Sequence, residues 1–411
     1  MKTDIQPARI GRPRGNVLLV CAFGIAACDA VGPPEPEFCD GYPCKGIELV
    51  SSLSAAQLGL AEGIVIDMWG WTDPVTGTEW ALVDHSEGTA FVSLQDPGRP
   101  VHAAFLPFTL GALPSDWRDI KVYGDHAFIV ADGVKHHGMQ VVDLARLRGD
   151  CRDALADRAA HGLRPDQERP QHLVGASGGE DTCGGGLHMI DIRTPAAPTF
   201  AGCFADESGG FSWPGYTHDA MCVVYRGPDA EHRGREICFL SNEEVLSIAD
   251  VSDKRAPVAL SRAAYPKVAY AHQGWLDEGH EYFYMNDELD EYHDLVEATR
   301  TIVWDVKDLD DPVVAREFMG TTPATDHNLY VVGDLMYQSN YRAGLRVLSI
   351  ADREKPVEVA FFDPTPDDSN EPGIDGSWSN YPFFGSGIVG FTSMGLESSS
   401  GGVFFVRLSA R

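Results

Sequence analysis

The sequence predicts an all-β fold, a seven-bladed β-propeller built of four-stranded blades. Three observations lead there. Short runs rich in Val, Leu, Tyr and Phe are separated by Gly-Asp and Asp/Pro turn groups, and none is long enough to be a helix. The pattern recurs at a period of about fifty residues, the range of a propeller blade. One four-stranded sheet of this size cannot bury both faces, so copies of it must pack against one another. A two-sheet sandwich and a β-helix are the rival readings of the same runs.

In chain order, residues 1–28 read as a lipoprotein-type signal peptide. Lys2, Arg9, Arg12 and Arg14 form a basic start, and Val17 to Ala27 is an apolar run too short to span a bilayer. Ile25-Ala26-Ala27-Cys28 resembles a lipobox, so Cys28 is the expected lipidation site. An ordinary secretory signal is the alternative. Residues 29–45, with several prolines, read as an extended tether, and the propeller occupies 46–411.

Within the propeller the unit is clearest from Asp326 to Asp363, where HNLYVVG, LMYQSNY, GLRVLSIAD and VEVAFF are four strands. Inner strands begin near Asp67, Trp117, His218, His272, His327 and Trp378, and a further unit must lie between Trp117 and His218. The third strand repeats best, as GTAFVSLQD, GMQVVDLAR, GLHMIDIRT, EVLSIADVS, RTIVWDVKD, GLRVLSIAD and GGVFFVRLS. The third blade, about 150–205, is irregular. Asp150 to His172 is rich in Ala, Arg, Asp and Gln where two strands are needed, which reads as an insertion or a frame error in the gene. The last blade lacks a fourth strand after Val403 to Leu408, whereas Gly46 to Leu53 has the fourth-strand pattern and no blade. That N-terminal strand is expected to close the ring in the last blade, removing an exposed edge.

Export puts the cysteines in an oxidising compartment. Cys222 and Cys238 flank one hairpin, Cys183 and Cys203 bracket another, and Cys39 and Cys44 close a small loop, so three disulfides are expected and Cys151 is left over. The net charge of −29, without a long single-sign run, argues against nucleic acid as a partner.

Asp67-Met-Trp-Gly-Trp-Thr-Asp, Trp117-Arg-Asp-Ile-Lys-Val, Cys183-Gly-Gly-Gly-Leu-His-Met-Ile-Asp-Ile, Tyr216-Thr-His-Asp-Ala, His272-Gln-Gly-Trp, Asp326-His-Asn-Leu-Tyr-Val and Trp378-Ser-Asn-Tyr-Pro-Phe-Phe occur together. With these motifs the chain resembles the choice-of-anchor B family of bacterial surface proteins, built from LVIVD-type repeats. The resemblance covers roughly residues 46 to 408 and implies a propeller at the cell surface, held by one of several kinds of anchor. It implies no chemistry. The family's Ala-His-Asn strand start is missing from the irregular third blade.

Antiparallel pairing brings first-strand starts and second-strand ends to one mouth of the central channel. His218, His272 and His327 occupy equivalent starts, and Asp219, Glu243, Asp287 and Glu288 are expected around them as metal ligands. Imidazoles would select zinc, whereas a purely carboxylate set including Glu244 would favour calcium. The bland reading is that each His braces a neighbouring blade. The acidic loop Asp287 to Glu291 lacks EF-hand spacing and reads as solvated, and His136-His137 as an exposed loop. Two function classes follow. One is a surface-anchored binding or scaffold module for an extracellular protein, glycan or small ligand, touching the membrane through its lipid only. The other is a metal-dependent extracellular hydrolase with Asp219, Glu243 or Asp287 as general base. With no nucleophile–base set legible, binding is the primary expectation.

Overall fold

A computed structural model describes residues 37–409, apart from 133, 135–136, 150–172, 175–182, 207–213, 368 and 398–400. The signal peptide, Cys28, Cys151 and the segment expected to carry the first strands of the third blade lie outside the described residues.

The fold is all-β, a propeller arrangement of small antiparallel sheets. The first sheet is Val65–Thr72, Glu79–His85, Gly88–Ser93 and Val101–Pro107. The second has three strands, Arg118–Tyr123, His126–Ala131 and Gln140–Asp143. Where a fourth strand was expected, Leu144–Arg148 forms a 3₁₀ turn capped by Asp143, whose carboxylate accepts from the Ala145 amide. The third sheet consists of Leu187–Asp191, Thr199–Phe204 and a two-residue strand, Leu173–Val174. The fourth and fifth sheets are regular: Asp219–Val224, Glu236–Ser241, Leu246–Asp250 and Val258–Ala263, then Ala271–Leu276, Tyr282–Asp287, Arg300–Asp305 and Val313–Met319. The sixth is built on Leu329–Val332, Leu335–Ser339, Leu345–Ser349 and Val357–Phe362. Among the described residues six sheets are therefore well-formed blades, and the third shows only two strands of ordinary length, short of the seven four-stranded blades expected.

Ser377–Tyr381, Ile388–Ser393 and Gly402–Leu408 form the last sheet, and Ile47–Ser54 is its fourth strand. Leu408 pairs with Ile47 and Phe405 with Ser51, so the N-terminal strand closes the ring as expected. The middle strands are buried on both faces between neighbouring sheets. Glu79–His85 and Leu246–Asp250 are buried at every position, their polar residues Glu79, Asp84, His85, Ser247 and Asp250 included. Tyr225, Phe239 and Trp304 fill the space between the fourth and fifth sheets, and Met68, Val403 and Phe405 that between the last and the first. Gly70 permits this close approach, since a Cβ there would lie 2.0 Å from the Tyr381 ring.

The expected tether is corrected over its second half. Glu37–Cys39 and Tyr42–Lys45 form a hairpin that extends the sixth sheet, with Cys44 opposite Phe362. Its two-residue loop, Asp40-Gly41, has φ of 52° and 93°, the positive pair that a type I′ turn requires. The Cys39–Cys44 disulfide ties the strands, and Tyr42 packs on Phe362 and Phe404 at 5.3 and 5.7 Å between ring centroids. Asp-Gly between Cys residues was the legible hairpin signal, masked by the surrounding prolines. The other two expected disulfides, Cys183–Cys203 and Cys222–Cys238, are also formed, the latter between directly opposed residues. No helix among the described residues is long and apolar enough to cross a membrane.

Candidate functional site

A cavity of about 550 Å³ opens where the inner strands begin. His218, His272, His327, Asp219 and Glu288 all line it, as the antiparallel argument required. The imidazoles form a staircase across successive blades, His218 to His272 at 4.5 Å and His272 to His327 at 4.4 Å between ring centroids, ending on Trp378 at 4.4 Å.

Two of the three histidines converge on one carboxylate. His272 Nε2 lies 3.7 Å from Glu288 Oε2, and His327 Nε2 lies 3.8 Å from Glu288 Oε1. One ligand atom from each residue fits within 4.8 Å of the others. Bonds of roughly 2.0–2.1 Å in a tetrahedral zinc site set ligand atoms about 3.3–3.4 Å apart, so the set would have to draw together by up to about 1.5 Å to hold an ion. The His327 tautomer follows from its other nitrogen. Nδ1 lies 2.6 Å from the Trp378 carbonyl, which can only accept, so Nδ1 carries the proton and Nε2 presents a lone pair to Glu288. Tyr341 donates to Glu288 Oε1 at 2.6 Å and fixes that carboxylate. Burial first, and the neighbouring imidazole second, push His272 well below the usual histidine range and His327 down to about 3. Both rings are therefore neutral, the form a metal needs.

The remaining expected ligands stand apart. The Nδ1 of His218 faces the hydroxyls of Tyr270 and Tyr216 at 3.0 and 3.3 Å, and the ring stays outside the convergent set. Asp287 is a structural carboxylate: it accepts from the Tyr265 hydroxyl and from the Ala269 and Tyr270 amides at 2.8, 2.8 and 2.6 Å. Glu243 is buried at φ 62°, and its main chain bonds that of Ala271 in both directions, stitching the fourth sheet to the fifth. The all-carboxylate calcium set is thus not brought together. The acidic loop is buried rather than solvated, because Arg300 lies within it and bonds Asp290 at 2.6 Å. His137 is buried as well, edge-on to Phe108, instead of exposed. A second group, Asp229, His232 and Asp310, joins loops of the fourth and fifth sheets on the far side of these blades. There the Asp229 oxygens already accept from the Leu309 and Glu231 amides.

Sequence reading missed the cavity floor. Trp69, Trp275 and Tyr330 from three inner strands meet Tyr381 and Phe383, with Trp275 5.0 Å from Tyr330 and Trp69 5.2 Å from Tyr381 between centroids. Strict alternation does not put His272 and Trp275 on one face. A register shift between Ala271 and Gln273 does, and similar shifts fall at Val65/Met68 and Ser377/Asn380. Lys121 was also missed. Its ammonium sits 4.6 Å above the Trp69 ring, bonds Asp119 and lies 3.9 Å from Asp67. Burial pushes Asp119 up, but Lys121 outweighs it and holds Asp119 below the usual carboxylate range, whereas burial carries Asp67 up to about 8 despite the same lysine. Asp219 rises to about 7, by burial and then by the Asp119 charge.

These shifts set a pH dependence. Burial lowers His85 and His137 to about 4, so between about pH 4 and 6.5 the unfolded chain binds their protons and the folded chain does not. They add stability as pH rises through that window. Asp67 and Asp219 hold protons that the unfolded chain has lost above about pH 4, and so remove stability as pH rises towards their folded values. Above about 6.5 only the carboxyl groups act. Urea unfolding should show stability falling by about 3 kcal/mol from pH 6.5 to 8.5, and Asp67→Asn should make that slope shallower. An unchanged slope in Asp67→Asn would contradict the assignment.

No family model matches the chain, and no curated protein does. Among solved structures, a chain of the mitotic checkpoint complex is 13% identical with a TM-score of 0.54, over 96% of this chain and 99% of that one. It supports the fold alone. A functionally unknown protein from Desulfotomaculum acetoxidans DSM 771 is 12% identical over 72% of this chain and 85% of its own, with a TM-score of 0.46. An extracellular domain from B. thetaiotaomicron is 11% identical over 86% of this chain and 39% of its own, at 0.48.

Proposed function

We propose that this chain is an exported, surface-anchored propeller of the choice-of-anchor B kind, which binds its ligand at the channel mouth through a divalent transition metal held by His272, Glu288 and His327. The observation that carries the metal is the His327 tautomer. Its lone pair and that of the Glu288 carboxylate face each other, and a cation between them turns that repulsion into two bonds. Two imidazoles and one carboxylate suit zinc better than calcium. Metal analysis of purified protein dialysed against zinc should find one ion per chain, and protein without a stoichiometric ion would overturn the reading.

A ring of seven blades is supported by the fifty-residue period and by the partial third sheet standing between two formed blades. Three disulfides fit an oxidising compartment outside the cytosol. The lipid anchor rests on Ile25-Ala26-Ala27-Cys28. Cys28→Ala should move the protein from the membrane fraction to the soluble one with its melting unchanged, since the first strand among the described residues starts at Glu37. Retention of that variant in the membrane would refute the anchor. The ligand is an extracellular small molecule, glycan or protein segment able to enter the cavity. One observation favours a hydrolase as the second reading: Asp219, raised to about 7, lines the same cavity as the metal set and suits a general base near neutral pH. Asp287 and Glu243 do not, being engaged in holding the sheets.

A further inference from the structure

Asp219 is a cavity carboxylate with no cation in contact with it among the described residues. Two basic side chains line the cavity. Arg118 is fully enclosed and bonds Asp84 and Thr89, and Lys121 bonds Asp119. Glu288 faces two neutral imidazoles and accepts a hydrogen bond from Tyr341. Asp219, at the start of the fourth sheet's inner strand, lines the cavity and has no ion pair within 4.0 Å among the described residues.

The chain also supplies its own example of what this floor accepts. The Lys121 ammonium rests over the Trp69 face between Asp119 and Asp67, a niche of indole and carboxylate that combines cation–π attraction with an ion pair. The neighbouring part of the floor repeats the ingredients without the cation. Trp275 and Tyr330 line the cavity with no basic group over either ring among the described residues, and the inner strand bearing Trp275 packs beside the one bearing Asp219. An anion entering here would meet Asp219 and Glu288, and a neutral sugar would donate hydroxyls to Asp219 without neutralising its charge.

We propose that the channel cavity takes a small organic ligand bearing an ammonium group, which pairs with Asp219 and lies over the Trp275 and Tyr330 rings. The proposal deepens the channel-mouth reading and shares its cavity, but it does not require the metal. A ligand with a second, metal-coordinating group would then span both halves of a space whose volume suits a small molecule.

The test is calorimetric titration of the full exported chain, zinc-loaded and metal-free, with n-butylammonium chloride, tetramethylammonium chloride, sodium butyrate and glucose. Butylammonium should bind saturably, and butyrate and glucose should not. Asp219→Asn should weaken butylammonium by about tenfold or more, as expected for one lost charge-assisted hydrogen bond, with zinc content unchanged. Tetramethylammonium separates the two contacts: it keeps the aromatic attraction without N–H donors, so it should bind more weakly and respond less to the substitution. Butyrate binding as well as butylammonium, or equal butylammonium affinity in Asp219→Asn, would overturn the proposal. Should Asp219→Asn fail to fold, the butylammonium–butyrate comparison on the native chain decides alone. A protein that binds zinc but no butylammonium refutes this inference and leaves the metal centre standing, and the reverse result does the opposite.

Discussion

His327→Ala is expected to lower zinc affinity by more than about 100-fold. Removing one of three protein ligands should exceed the ~10–100-fold range typical of lost outer-shell partners. Tyr341→Phe, which removes only the hydroxyl donated to Glu288, should fall within that range. Glu288→Gln should resemble His327→Ala, because an amide oxygen is a weaker ligand and the amide loses the charge that balances the ion. His218→Ala should spare zinc, since that ring faces two tyrosine hydroxyls instead of Glu288. Thermal melts add an independent readout. At zinc concentrations 100-fold above Kd the native fold gains about 2.7 kcal/mol, and this increment should vanish in His327→Ala. The competing view is that His327 only braces the last sheet through the Trp378 carbonyl. It requires the metal-free melt to drop in His327→Ala while zinc content, if any, stays the same.

Arg300→Met is expected to destabilise the fold by about 3–5 kcal/mol, the range for breaking a buried ion pair from one side. The Arg300 side chain is fully enclosed. Its guanidinium bonds Asp290 at 2.6 Å, Glu317 at 3.0 Å and the carbonyls of Pro266 and Lys267, both at 2.9 Å. Methionine fills part of the volume but abandons Asp290 without a cation and strips two carbonyls of their donor. Lysine should not rescue it, because a single ammonium cannot reproduce the planar fork that reaches four acceptors. Adding Asp290→Asn should recover part of the loss by removing the stranded charge. Urea unfolding of the three variants measures this, and a loss below about 1 kcal/mol in Arg300→Met would show the cluster to be incidental.

The histidine mouth was legible because it rests on two local rules: the repeat sets the strand starts, and antiparallel pairing sends them to one end. What those rules lack is side-chain direction. Three histidines at equivalent starts looked equivalent, yet His218 meets Tyr216 and Tyr270 while His327 meets Trp378 and Glu288, partners supplied by different parts of the chain. The acidic loop misled for a related reason. Composition marks Asp290 and Glu291 as solvent-seeking, and only a neighbour from the next strand, Arg300, makes their burial tolerable.

The sequence by itself determined the blade grammar, the closing strand Ile47–Ser54, and the pairing of Cys222 with Cys238. Each depends on period, strand alternation and turn chemistry, which act over a few residues and survive in any environment that buries a sheet. Only the tertiary structure decided that His272 and Trp275 share the channel face, that Lys121 settles over Trp69, and that Glu288 stands between two imidazoles. A bulge shifts the face by one residue without altering composition, and a buried charge takes its position from whichever blade supplies the counter-charge.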